Sequence, residues 1–293
     1  MKSTLAAFAI GCSLMSAFLP CRADDQPAAG QSDPNADLRK QINELHWIQG
    51  PNKVQLFDNS TFAVPDGYVF LNPADTAKLE NITHNLSGAT EYFLAPKDMR
   101  WGAHFSFKDD GYVKDDEKID AAGLLENIKT NTEAANKARR ERGWDEMAVI
   151  GWQVPPHYDT QTNRLEWAVT GKDIKTNTEV VNFNTRILGR GGVMSVVLIA
   201  DPQDLSAATN DFKSTLAGFE YLPGKRYAEY KPGDKVAKYG LAALVTGGAA
   251  AIAVKTGLWK VIVGALVAGW KFIAAAVVAV FGGLAKRFKR KSA

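Results

Sequence analysis

A histidine with several carboxylates close by in sequence is the first place to look for chemistry in this chain. His104, Asp109, Asp110, Asp115 and Asp116 fall within one short stretch, and imidazole and carboxylate donors together suit a divalent cation. Their spacing matches no calcium loop, and no second histidine follows at i+4 on a helix. The stretch therefore reads as an acidic turn, and no metal site is expected. A second group, His157, Tyr158 and Asp159, follows Pro155 and Pro156. A titratable base beside an orienting carboxylate is what an acid–base hydrolase would need. Adjacent loop residues seldom face one another, however, and no serine sits in a Gly-x-Ser-x-Gly elbow. No catalytic residue is assigned, and the segment is expected to be a turn around a partly buried tyrosine.

Gly189-Arg-Gly-Gly192 could cradle an anion with backbone N–H groups while Arg186 and Arg190 supply charge. It is not a phosphate loop of the Gly-x-x-x-x-Gly-Lys kind, no helix begins just after it, and a hairpin turn uses glycine for positive φ anyway. Trp152, Tyr158, Trp167 and Phe183 come from neighbouring strand candidates and either line a groove or belong to the core. The surface expected to bind a ligand is the patch around Trp152, Tyr158, Asp159, Arg186 and Arg190. No motif implies a cofactor.

The elements that must position these residues follow from periodicity. Val54 to Leu56, Thr61 to Val64 and Tyr68 to Leu71 read as a strand meander around turns at Asp58-Asn-Ser60 and Pro65-Asp-Gly67. Pro73 to Leu86 reads as a helix. Met99 to Val113 is aromatic and alternating, so a strand that runs into a turn at Asp109-Asp-Gly111. Asp120 is a plausible N-cap for a helix whose Ala121, Leu124, Leu125, Ile128 and Ala135 share a face and which Gly143 ends. Strands are expected at Met147 to Val154, Arg164 to Val169 and Glu179 to Leu188. Gly192 to Ala200 is nearly all apolar, so a central strand. Pro202 to Phe219 is a further helix, and Gly224 to Tyr230 a last short strand or loop. Short connections favour antiparallel pairing, which gives class α+β, an antiparallel sheet covered by helices.

Both ends of the chain point to the bacterial envelope. Lys2, the apolar Leu5 to Phe18 and small residues before Asp24 read as a secretory signal over 1–23. Residues 24–37 are a polar, flexible leader, and 38–236 form the periplasmic α+β domain. The apolar stretch 237–260 is expected to be an interfacial or packed helix, with a hairpin span as the runner-up. Val261 to Ala285, interrupted only by Lys271, is the expected transmembrane helix. Its twelve Val, Ile, Leu and Phe residues contribute roughly 4 to 7 kcal/mol toward insertion against about 2.5 to 3.5 for a central lysine. Lys271 either snorkels or acts as an intramembrane charge. The basic tail 286–293 stays cytoplasmic by the positive-inside bias, so the protein is single-pass in the inner membrane with its N-terminal domain periplasmic.

Cys12 and Cys21 both lie in the segment to be removed. The exported portion then has no thiol, which excludes disulfides and a cysteine nucleophile. Ten of the 35 Lys and Arg residues lie at the two ends and in the membrane region, which leaves residues 24 to 254 about seven charges negative and argues against nucleic acid as a partner.

Several phrases resemble one family of bacterial membrane-anchored proteins, the domain of unknown function 2167. They are Gly111-Tyr-Val-Lys-Asp-Asp116, Asn136 to Arg140, Gly151-Trp152 through Asp159, Leu165-Glu-Trp-Ala168, Asn182 to Gly192, Arg226 to Tyr230 and Asp234 to Gly240. The resemblance runs from about Leu45 to the tail and implies location and architecture, without an activity. Phe62 to Tyr68, the late antiparallel strands and the helix after them are also similar to PsbP-like domains, sandwiches that mostly bind or assist assembly. The function expected is a membrane-anchored periplasmic binding or scaffolding module, held by its C-terminal helix, with an envelope protein as partner. The alternatives are an envelope hydrolase using the loop carboxylates and His157, and an accessory subunit of a transport or secretion complex.

Overall fold

A computed structural model describes residues 36–83, 85 and 90–246. The expected signal segment, transmembrane helix and basic tail lie outside the described residues, among which no helix is long and apolar enough to cross a membrane.

Eight strands form one antiparallel sheet. In spatial order they are β1 (Ile48–Gln49), β4 (Tyr68–Leu71), β5 (Glu91–Pro96), β6 (Trp101–Lys108), β10 (Val193–Ala200), β9 (Glu179–Leu188), β8 (Arg164–Asp173) and β7 (Met147–Asp159). The apolar β10 is central, as expected, between β6 and β9. A second sheet joins β11 (Phe219–Tyr221), β3 (Ser60–Val64) and β2 (Asn52–Leu56). The helices are α1 (Ala36–Asn43), α2 (Pro73–Ile82), α3 (Ala121–Arg140), α4 (Leu205–Thr215) and α5 (Leu241–Val245). The class is α+β.

Strand alternation sorts the core by face. On one face, Phe105, Ala168, Phe183, Val196 and Leu198 meet Phe62 of the small sheet and Phe212 of α4. The other face carries two separate apolar clusters. Near β4 and β5, Leu71 and Phe93 pack with Ile42 of α1 and Leu79 of α2. Near β8, Leu165, Trp167 and Val169 pack with Leu124 and Ile128 of α3 and with Leu241, Leu244 and Val245 of α5.

Local signals set the helix ends. The Asn72 side chain accepts from Ala74 N and Asp75 N at 2.9 and 3.0 Å, with Pro73 in the first turn of α2. Asp120 caps α3, and Gly143, at φ +69°, follows its C-terminus.

The structure departs from expectation in four places. The meander over residues 54–71 divides between two sheets, because Pro65 and Gly67 (φ +82°) turn the chain from β3 into β4 of the large sheet. Glu91–Pro96, which carries no clear alternation, is strand β5. β7 runs on through Pro155, Pro156 and His157 to Asp159, where a turn was expected. An edge strand tolerates proline because its outer N–H needs no partner, and register shifts between Trp152 and His157 absorb the irregularity. The glycines of 189–192 serve close approach rather than positive φ. A Cβ on Gly189 would meet the Tyr221 ring at 2.7 Å, and one on Gly192 would meet Lys108 O at 2.1 Å.

Candidate functional site

Between the two apolar clusters of the second face runs a band of polar side chains on the central strands. In-register partners share a face, and the register places Glu91, Ser106, Ser195, Arg186, Leu165 and Tyr158 in one row across β5, β6, β10, β9, β8 and β7. The adjacent row holds Phe93, His104, Val197, Asn184 and Trp167. On β9 the pattern is Asn182, Asn184, Arg186, alternating with Val181, Phe183 and Thr185 that face the other way. Polar residues at the centre of a covered sheet face cost desolvation unless partners satisfy them, which makes them more informative than any exposed apolar residue.

At one end of the band, His104 of β6 lies between two carboxylates. Its Nδ1 is 3.3 Å from Glu80 Oε1, supplied by α2, and 3.3 Å from Glu91 Oε2, supplied by β5. The side chains of His104, Glu80 and Glu91 are only 5, 1 and 17 % exposed. These are ion-pair approaches rather than aligned hydrogen bonds: neither His104 ring nitrogen nor either Glu80 oxygen has a hydrogen-bond partner among the described residues. Burial opposes the imidazolium, but Glu80 and then Glu91 outweigh it and hold His104 above its ordinary pKa. Burial pushes the Glu80 carboxyl up, against the attraction of His104. One donor atom from each residue lies within 4.8 Å of the others, so these three side chains could hold a metal ion.

At the other end, the Arg186 guanidinium stacks 4.7 Å from the centroid of the buried Trp167 ring. Its polar contacts are long, 3.3 Å to Thr185 O and 3.4 Å to Asn184 Oδ1, and it has no carboxylate partner among the described residues. Burial lowers its pKa from 12.5 to about 10, with nearby Tyr239 opposing the fall. The indole N–H of Trp167 also lacks an acceptor among the described residues. Tyr239 instead donates to Asp110 at 2.5 Å, and Lys108 pairs with the same carboxylate at 3.0 Å.

The remaining residues of the expected patch separate. Tyr158 shares the Arg186 row but donates its hydroxyl to Asp115 at 3.0 Å; burial and then that carboxylate raise its pKa. Trp152 donates Nε1 to Ala121 O at 3.0 Å, bracing the start of α3. Asp159 caps a turn through Thr162 Oγ1 and Gln161 N, and those two bonds lower its pKa. Arg190 is committed to Asp234 by two bonds of 2.7 Å, and that pairing brings Asp234 down to about 2. His157 sits opposite Glu166, 4.0 Å away, on the face away from Tyr158, and Phe183 belongs to the core of that same face. The acidic window also disperses, since His104 turns to Glu80 and Glu91 while Asp110 and Asp115 accept from tyrosines. Glu80 and Glu91 escaped the sequence reading. The signal for them was one glutamate in the expected helix Pro73 to Leu86 and another in the unassigned stretch after it, which becomes meaningful only once β5 is paired with β6.

The family profile described as protein of unknown function (DUF2167) matches residues 48–281. The chain belongs to DUF2167. The matched range spans every strand of both sheets, so the DUF2167 domain includes the whole polar band. No curated protein matches the chain. Two solved structures are similar at a distance. Cyanobacterial PsbP from Synechocystis sp. PCC 6803 is 11% identical, with 58% of this chain and 92% of that one covered and a TM-score of 0.36. The Ran-binding protein Mog1p of Saccharomyces cerevisiae is 10% identical, with 63% and 100% covered and a TM-score of 0.28.

Proposed function

We propose that this DUF2167 protein is a membrane-anchored binding module of the bacterial envelope, its folded domain on the periplasmic side, and that Arg186 is the centre of a site for an anionic group of a ligand or partner. The observation that carries the reading is a guanidinium stacked on a buried indole with no countercharge among the described residues. A half-buried charge of this kind weighs against folding unless a carboxylate or phosphate arrives from outside, and a planar guanidinium suits such groups. The surrounding domain is acidic, so the attraction is local to this site. Two apolar terminal segments of the sequence support the envelope location. The dispersal of His157, Asp159 and Arg190 supports binding over hydrolysis, because a base, its orienter and an oxyanion donor have to converge.

The test uses full-length protein in detergent, with phosphate, sulfate or acetate replacing chloride at constant ionic strength. At least one of these oxyanions should raise the thermal midpoint of the wild type and leave Arg186→Met unmoved. Equal shifts in both proteins, or none with any anion, would remove the assignment. A reporter fused after Ala293 should be active only in the cytoplasm; activity outside it would refute the orientation.

A further inference from the structure

We propose that Glu80, Glu91 and His104 form a binding site for a divalent transition-metal ion of the zinc type. The site is separate from the Arg186 site and stands or falls independently of it.

Three observations support it. The donor set is one imidazole nitrogen and two carboxylates, a composition suited to zinc and its first-row neighbours and poor in the many oxygens that calcium takes. The spacing also fits. Metal–ligand bonds of about 2.0 to 2.1 Å set at the tetrahedral angle place two donor atoms about 3.3 Å apart, and Nδ1 of His104 stands 3.3 Å from an oxygen of each carboxylate. The third edge, carboxylate to carboxylate, closes within 4.8 Å. Thirdly, the polar atoms are buried without hydrogen-bond partners among the described residues: both Glu80 oxygens and both His104 ring nitrogens. Two carboxylates, a neutral imidazole and a divalent cation sum to zero charge, which suits a setting lined by Phe93, whose ring centroid is 4.9 Å from that of His104. The ligands also come from α2, β5 and β6, so an ion would bind the helix to the sheet.

The experiment uses full-length protein in detergent, prepared without a histidine tag and stripped with a chelator. Zn²⁺ is titrated against a chromophoric competitor, and bound metal is counted by mass spectrometry. The wild type should retain about one Zn²⁺ per chain, and its thermal midpoint should rise on loading. Glu80→Gln and His104→Gln, near in volume to the residues they replace, should lose the retained equivalent and weaken competition at least ~100-fold, with near-ultraviolet circular dichroism unchanged. Asp116→Asn and Arg186→Met should keep it, which separates this site from the acidic turn and from the anion site. Should either glutamine variant fail to fold, Co²⁺ added to the wild type decides the matter: the visible absorption of low-symmetry cobalt supports the site, and the weak bands of the hydrated ion count against it. No retained Zn²⁺ in the wild type, or full retention in folded Glu80→Gln, would overturn the proposal.

Discussion

Replacing Arg186 by methionine should make the protein more stable, which is the opposite of what most substitutions on a covered sheet face do. The drop of its pKa from 12.5 to about 10, at about 1.36 kcal/mol per pH unit, corresponds to about 3 kcal/mol against the charged form for a fully buried group, and to about 2 once solvent screening of the half-buried Arg186 is allowed for. Stacking on Trp167 at 4.7 Å returns about 0.5 to 2 kcal/mol. The contacts of 3.3 and 3.4 Å to Thr185 O and Asn184 Oδ1 are too long to add more than a few tenths of a kcal/mol each. Methionine keeps an unbranched, polarizable stem over the indole and removes the charge. The balance is a gain of up to about 1 kcal/mol. It should be flat between pH 5 and 8, because a base with its folded pKa near 10 stays charged throughout that window. The assay is urea unfolding of full-length protein in detergent, in chloride buffer free of oxyanions, followed by near-ultraviolet circular dichroism. Arg186→Lys should gain nothing and lose the oxyanion response, because an ammonium neither stacks nor offers a planar fork. A loss of more than about 1 kcal/mol in Arg186→Met would refute the reasoning, since the guanidinium would then be satisfied where it sits.

Three further outcomes follow from satisfied groups. Tyr221→Phe should cost about 2 to 4 kcal/mol in urea unfolding without opening a cavity, because the hydroxyl donates to Ile187 O at 2.8 Å and accepts from Met194 N at 2.9 Å, both buried; a cost near zero would mean that water satisfies both groups. Asp211 accepts from Tyr68 at 2.5 Å and Trp101 at 3.0 Å and pairs with Arg100, tying α4 to the large sheet, so Asp211→Ala should cost about 2 to 4 kcal/mol after allowance for partial exposure. Although burial alone would raise the pKa of Asp211, the bonds from Tyr68 and Trp101 and the charge of Arg100 lower it overall. Its contribution is therefore full above about pH 4 and fades as pH falls through the depressed value. The stability gap between wild type and Asp211→Ala should narrow in that acid window, and a gap that widens there would contradict the sign. Gly192→Ala should lower the thermal midpoint by several degrees, as its methyl group would collide with the Lys108 carbonyl; an unchanged midpoint would show that the β9–β10 loop yields freely.

What the residues determined by themselves were the properties that depend on neighbours in sequence. The Asp120 cap, the apolar run of β10, the alternation of β8 and β9 and the antiparallel order of β7 to β10 are local or nearest-element features, and periodicity and turn chemistry specify them. The family was legible too, through phrases that lie mostly on α3, β7, β8, β9 and the loops beside them. β5 was missed because Glu91-Tyr-Phe-Leu-Ala-Pro carries no alternation of its own, and its pairing with β4 and β6 supplies the order that its sequence lacks.

The candidate sites belong to the other category. Asn182, Asn184 and Arg186 recur at every second position of β9, and His104 and Ser106 do the same on β6. That pattern is equally good for a strand face in water, and only the packing of α1, α2, α3 and α5 over this face leaves Asn182, Asn184 and His104 buried and Arg186 and Ser106 half-buried. His104 illustrates the limit. In sequence its nearest carboxylates are those of an acidic turn, whereas in space they are Glu80 and Glu91, from a helix and a different strand. Proximity along the chain fixes which residues can form a turn or a cap, but desolvation and charge compensation act through space, so which arginine lacks a carboxylate among the described residues and which carboxylates share a histidine was decided by the tertiary fold.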